Sequence, residues 1–246
     1  MRATITNNAD SKELLSVSAT FHFQGCAKDA ATQATRGAQL AGGLIALGLR
    51  EGDVLAVLLR NSELFVDIIH ACRQTGISFC PINWHFTADE ASVLLLDSGS
   101  KALIGHGDLL DGIIHVVPQS VALLSVGQSR SPKSLPYETW LSTQAAYSGP
   151  LVSPGGHMVY TSGTTGHPKG AVHTQSGLLA NAKASLEAHE FKSTDIVLST
   201  LPLFHVGGLC IQTLPALLAG VSVHLHPRFD TDAWLSDVST AEPEER

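Results

Sequence analysis

Twelve consecutive residues, Tyr160-Thr161-Ser162-Gly163-Thr164-Thr165-Gly166-His167-Pro168-Lys169-Gly170-Ala171, gather four small hydroxyl side chains, three glycines and a lysine. Glycines let backbone N–H groups converge on an anion, the hydroxyls add donors, and Lys169 adds a positive charge on a flexible stem. Together they describe a polyphosphate cradle. It differs from the G-x-x-x-x-G-K-[ST] loop of P-loop nucleotide hydrolases. Counting from Gly163 places Pro168 where the second glycine belongs and Gly170 where the Mg2+-binding hydroxyl belongs.

The cradle needs a strand to carry it, and the pattern supplies one at His157 to Tyr160, followed by a helix from Ser176 to His189. Upstream, Leu40, Leu44 and Leu47 recur at helical spacing within Lys28 to Leu49, and Gly48 supplies a stop. Val54 to Leu59 is apolar on both faces, as a central parallel strand requires. Asn61-Ser62 is positioned to cap the next helix, whose inner face carries Leu64, Phe65, Ile68, Ile69 and Cys72. A strand at Ile77 to Ile82 follows. Thr87 and Glu90 form a capping-box pattern ahead of the Val93 to Leu96 run. Lys101 to Ile104 and Ile113 to Val117 read as further strands.

Residues 127 to 156, rich in Gly, Ser and Pro, read as a long loop with one helical turn at Tyr137 to Leu141. Downstream, Ile196 to Thr200 and Val221 to Leu225 are strands separated by a helix through Leu209 to Leu218, and Phe229 to Val238 is a final helix. This alternation predicts an α/β fold: a layered, mostly parallel sheet with flanking helices. No strand pattern follows Val238, so the sheet is expected to lie open at Val221 to Leu225.

The 246 residues are 44% hydrophobic and 15% charged, enough apolar material for a core and too little charge for disorder. A net charge of -7, without any basic block, disfavours nucleic acid and anionic membrane as partners. The stretch between Asp195 and Arg228 lacks Asp, Glu, Lys and Arg, but Pro202, Pro215 and Gly207-Gly208 divide it, so no transmembrane segment is expected. Met1 to Asn8 lacks the apolar run of a secretory signal, and Cys26, Cys72, Cys80 and Cys210 form no C-x-x-C pair among their apolar neighbours. Buried thiols and a cytoplasmic location are expected. His224 and His226 share one face of a strand, but the pattern offers no third ligand, so no metal site is assigned. Asn83-Trp84-His85, after a strand's end, is a candidate pocket lining.

At Tyr160 to Gly170 the sequence resembles the adenylate-forming superfamily of acyl-CoA synthetases, luciferases and peptide-synthetase adenylation domains, matching its phosphate-binding signature at every defined position. Leu201-Pro202-Leu203-Phe204-His205-Val206-Gly207-Gly208 is similar to the family's second core motif. Gly52 to Leu59, Asn61-Ser62 and Pro81-Ile82-Asn83 follow its early pattern. The resemblance runs from about Gln39 to Val238. Residues 1–25 match poorly, 26–238 form a partial AMP-binding N-terminal domain, and 239–246 stand as a tail outside the family pattern.

The resemblance implies ATP-dependent activation of a carboxylic acid to an acyl-adenylate, with Mg2+, then transfer of the acyl group to coenzyme A. The leaving pyrophosphate accumulates negative charge, which the cradle is suited to meet. Thr161, Ser162, Gly163, Thr164, Thr165, Gly166 and Lys169 are accordingly assigned to the phosphates, with Lys169 as the catalytic charge partner. Phe204 and His205 are assigned to border the substrate carboxylate, His205 in a catalytic role, while Gly207 and Gly208 leave room for the acyl chain.

The family's later motifs, including the acidic Mg2+ segment, the ribose-binding aspartate, the hinge and the C-terminal lysine, have no counterpart here. The expectation is an incomplete enzyme, weakly active or inactive alone, with a downstream polypeptide as the source of the missing half. A natural truncation, a shifted reading frame and a split enzyme remain open as its origin. The alternative is a non-catalytic nucleotide or acyl binding module. Fatty, aromatic and small carboxylic acids all remain open as substrates.

Overall fold

The computed structural model describes residues 19–152, 156–161, 168–192 and 194–240. Of the assigned residues, Ser162, Gly163, Thr164, Thr165 and Gly166 lie outside that set, as does the 241–246 part of the tail.

Two sheets organise the chain. The larger contains β3 (Val54–Leu58), β4 (Ser78–Pro81), β5 (Ala102–His106), β6 (Ala122–Val126), β7 (Ser134–Pro136), β8 (Gly156–Thr161) and β9 (Lys169–Thr174), in the order β7-β6-β5-β3-β4-β8-β9. Every pairing in it is parallel except that of β8 with β9. The smaller sheet contains β1 (Phe21–Phe23), β2 (Cys26–Lys28), β10 (Ile196–Ser199) and β11 (Ser222–Leu225), in the order β10-β11-β1-β2.

Strand β3 is buried throughout, and its period of two sorts its side chains between two cores. Leu55 and Val57 join α1 (Ala30–Ala46), α2 (Leu64–Thr75) and apolar residues of the smaller sheet. Ala56 and Leu58 turn to the opposite face, which α3 (Ala88–Asp97) and α4 (Gly107–Ile113) cover with Leu94, Leu95 and Leu110. Helix α3 begins at the expected capping box: Thr87 Oγ1 accepts from Glu90 N–H, and Glu90 accepts from Thr87 N–H at 2.8 Å. Helix α2 ends at Gly76, whose φ of +71° is the left-handed stop that glycine adopts without strain.

Buried Asp67 of α2 pairs with Arg36 of α1 at 2.8 Å, and Arg36 also binds Glu138 of α5 (Tyr137–Ser142). Burial lifts the Asp67 carboxyl to about 6 in spite of Arg36.

The structure departs from the sequence reading at several points. Ile113 to Val117 is the end of α4 and a 3₁₀ turn, and the strand expected there lies at β6. A parallel crossover from β5 needs a dozen or so residues, and these apolar positions are used to pack it. The edge strand β9 is a further addition. Strand β11 is not an open edge, because β10 and β1 flank it in parallel register. Its second neighbour is β1, residues 21–23, from near the start of the described chain. Cys72, Cys80 and Cys210 are buried as expected, but Cys26 is exposed on β2. Burial pushes the Cys80 thiol up to about 12 and the Cys210 thiol up to about 11. Among the described residues, no helix is long and apolar enough to cross a membrane.

Candidate active site

Strands β3, β4 and β8 run parallel, so their carboxyl ends form one rim, where open α/β sheets bind ligands. Beyond β8 the chain turns and returns as β9, with Thr161 directly opposite Lys169. Both residues are exposed, and in sequence they flank residues 162–168. The hairpin is braced from beneath. The Tyr160 hydroxyl donates to Asp97 of α3 at 2.6 Å, and burial together with that carboxylate raises the phenol. Gly170 sits across from Tyr160, where an added Cβ would lie 3.0 Å from the phenol ring, so the glycine admits the ring.

The base of β8 is held by His157, which stacks on Phe79 of β4 with ring centroids 4.6 Å apart. Its Nδ1 lies 3.5 Å from Cys210 Sγ, linking β8 to the π-helical turn Gly207–Thr213. Burial, then the neighbouring His173, lowers the His157 ring to about 3.

The Leu201 to Gly208 segment leaves β10 at that strand's own carboxyl end. Leu203 is fully buried, Phe204 is half-buried against the main core, and His205 is exposed. The Gly207 N–H donates to His205 Nδ1 at 3.2 Å, which puts the proton of a neutral ring on Nε2 and leaves that nitrogen as a donor. Gly208 is buried, and an added Cβ would meet the Pro202 carbonyl oxygen at 2.5 Å. Its lack of a side chain is used by the protein backbone. Gly207 has ordinary clearance, with Leu201 at 3.6 Å.

Asn61 brings this segment to the rim. It follows β3, is 7% exposed, and does not cap α2; Ser62 Oγ instead accepts from Leu64 N–H. Asn61 Nδ2 donates to the Leu201 and His226 carbonyls at 3.1 and 2.9 Å, and its Oδ1 accepts from Leu203 N–H at 2.8 Å. The sequence reading missed this role. The available signal was a polar, amide-bearing residue directly after an unbroken apolar strand. At the same rim the Trp84 ring stacks on His85 at 3.5 Å, and the Arg60 guanidinium lies 5.5 Å from its centroid.

His224 and His226 lie at the end of β11, near α8 (Thr231–Thr240). His226 is buried, and α8 supplies the third group that the sequence pattern lacks, Asp237.

Segments gathered at the carboxyl ends of parallel strands, and tied to one another through the buried Asn61 amide, make this an open α/β fold, a class whose ligands bind outside those strand ends. The family model described as AMP-binding enzyme matches residues 31–244, and the chain belongs to that family. Indoleacetate--CoA ligase of Aromatoleum aromaticum is 38% identical over 200 residues, covering 79% of this chain and 39% of that protein. Feruloyl-CoA synthase of Amycolatopsis sp is 36% identical over 220 residues, covering 87% and 42% respectively. The chain thus spans about two fifths of the length of these curated relatives. The fold also superposes on ATP-bound MatB from Rhodopseudomonas palustris, with TM-score 0.78 and 23% identity over 90% of this chain and 45% of that one. For o-succinylbenzoate CoA synthetase from Bacillus subtilis in complex with AMP, the TM-score is 0.75 and the identity 25%, over 94% and 57%.

Proposed function

We propose that this chain forms part of an AMP-forming acid-thiol ligase. A carboxylate oxygen attacks the α-phosphorus of MgATP, the bond to the pyrophosphate breaks, and pyrophosphate leaves. The thiol of coenzyme A then attacks the acyl carbon, loses its proton, and displaces AMP.

The observation that carries this reading is the β8–β9 hairpin, which sets Thr161 opposite Lys169 on either side of a connection rich in hydroxyls and glycine. An exposed ammonium and hydroxyl at a connection rich in backbone N–H groups fit a polyphosphate. The role of Lys169, with Thr161, Ser162, Gly163, Thr164, Thr165 and Gly166, is to hold the β- and γ-phosphates as charge builds on the leaving group. Magnesium bound with the nucleotide would neutralise part of the same charge. His205 donates from Nε2 toward the carboxylate of the acid, beside the apolar ring of Phe204. Gly207 keeps the acyl side open, while Gly208 lets the segment pack closely on Pro202.

Aryl-substituted acids head the substrate panel, because the relatives named above act on indoleacetate and feruloyl groups. The test is acid-dependent exchange of pyrophosphate into ATP, run on the polypeptide that carries this chain with aryl, fatty and small acids. Exchange that requires both Lys169 and an acid supports the ligase. ATP binding without exchange under any acid would support instead a non-catalytic nucleotide-binding module.

A further inference from the structure

The smaller sheet carries a second group of side chains able to do chemistry, outside both loops. His224 lies on β11 and His226 one residue past its end, with their ring centroids 5.7 Å apart. Helix α8 lays Asp237 over them. Its Oδ2 is 2.6 Å from His226 Nε2 and 3.6 Å from His224 Nδ1. One ligand atom from each of the three residues lies within 4.8 Å of the other two. Strand β1 adds His22, in register with His224 and with its ring centroid 5.9 Å away.

Two imidazoles and a carboxylate are the donor set of borderline divalent transition ions. Mg2+ and Ca2+ prefer oxygen ligands throughout and are poorly served here. A tetrahedral ion with bonds of about 2.1 Å spaces its ligand atoms about 3.4 Å apart. The two separations from Asp237, 2.6 Å and 3.6 Å, bracket that value, and all three ligand atoms lie within 4.8 Å of one another. The site is half enclosed, with 8% exposure of the His226 side chain, 32% of Asp237 and 41% of His224, which leaves an entry path from solvent. The backbone of its deepest residue is held in advance, because the His226 carbonyl accepts from the Asn61 amide, and the ring itself already meets Asp237 at 2.6 Å. Preset ligands lower the ordering cost of binding.

We propose that His224, His226 and Asp237 bind one divalent transition-metal ion of the zinc type, which staples α8 to the end of β11. The site lies outside the two loops assigned to the MgATP chemistry, although Asn61 links its His226 backbone to the segment that bears His205.

The probe is Co2+, titrated into the untagged 246-residue chain after chelator treatment and dialysis, with Zn2+ as competitor. One equivalent of Co2+ should give an intensified visible absorption band, and Zn2+ should abolish it. Saturating Zn2+ should also raise the thermal midpoint of unfolding. His224→Ala and Asp237→Asn should each weaken binding at least tenfold. His226→Gln disturbs a buried position, so the half-exposed His224 carries the test if that variant does not fold. Unchanged affinity in folded His224→Ala and Asp237→Asn would overturn the site and place any bound ion among other histidines. Failure to bind Co2+ or Zn2+ at 100 µM, roughly the weak end of specific binding, would overturn it as well.

Discussion

The side-chain oxygen of Asn61 accepts a hydrogen bond from the backbone N–H of Leu203 at 2.8 Å, across 142 positions of sequence. The same amide donates to Leu201 and His226, so one buried side chain joins the end of β3 to the segment bearing His205 and to the end of β11. Removing it leaves a buried N–H and two carbonyls without their partner. Each orphaned group costs roughly 1–3 kcal/mol. Asn61→Ala is therefore expected to lower unfolding stability by about 2–4 kcal/mol. Asn61→Asp should be at least as costly, since it keeps an acceptor for Leu203 but turns a carboxylate toward two carbonyls. Urea titrations of the three proteins check this, and a loss under about 0.5 kcal/mol for Asn61→Ala would place the segment's anchorage elsewhere.

Lys169→Ala combined with Thr165→Ala is expected to slow adenylation at least tenfold in the polypeptide that carries this chain. Charge-assisted donors contribute about 1.5–3 kcal/mol each, and 1.4 kcal/mol is a tenfold change in rate. The assay is acid-dependent pyrophosphate exchange. An unaltered rate would remove the loop from the reaction.

His205→Ala should raise the KM for the carboxylic acid more than that for ATP. The ring is exposed and its Nδ1 accepts from Gly207 N–H, so Nε2 is left as its donor and little folding stability depends on it. Steady-state kinetics with each substrate varied in turn separate the two effects. A change confined to the ATP constant would move His205 to the nucleotide side.

Acid should destabilise the fold through two buried histidines. Burial, with Arg73 adding to it, lowers His70 to about 4, and His157 lies at about 3, against an ordinary value of 6.5. As pH falls below 6.5 the unfolded chain takes up protons that the folded chain refuses. The stability these rings contribute is present above pH 6.5 and is lost as pH falls through 4 and 3. Asp67 acts in the opposite sense: its contribution is whole below 3.8 and fades as pH rises through about 6. Two rings outweigh one carboxyl. His157→Phe preserves the stack on Phe79, so it should lose less stability than the parent chain between pH 7.5 and 5. Equal losses, measured by urea midpoints at both values, would show that His157 is not the titrating group.

What could be read in advance follows from how local each signal is. Val54 to Leu58 announces a central strand because burial on both faces writes itself into five consecutive residues. Thr87 and Glu90 announce a helix start because the capping box closes within one turn. Strand β9 left no trace, since all six of its residues are exposed and no apolar alternation marks them. The lysine and hydroxyls of the candidate site were legible as a composition. Their framing by Thr161 and Lys169 was not, because it depends on a hairpin register. Asn61 and Asp237 were misjudged or overlooked for a related reason: the atoms they touch belong to segments remote in sequence or to a helix whose rotation the pattern does not fix.

The Thr20 N–H reaches Ser222 Oγ across 202 positions, and β1 lies beside β11 in the centre of the smaller sheet. On a ribosome adding about 5–20 residues per second, the first strand emerges tens of seconds before its partner. During that interval Phe21 and its neighbours can form the short hairpin with β2 but not the pairing with β11, while the larger sheet acquires its inner strands. Closure of the smaller sheet is thus a late, non-local event in the life of the nascent chain. Synonymous codon changes that slow elongation between residues 30 and 220 would lengthen the period in which that apolar hairpin is open to chaperones or to pairing with a second copy.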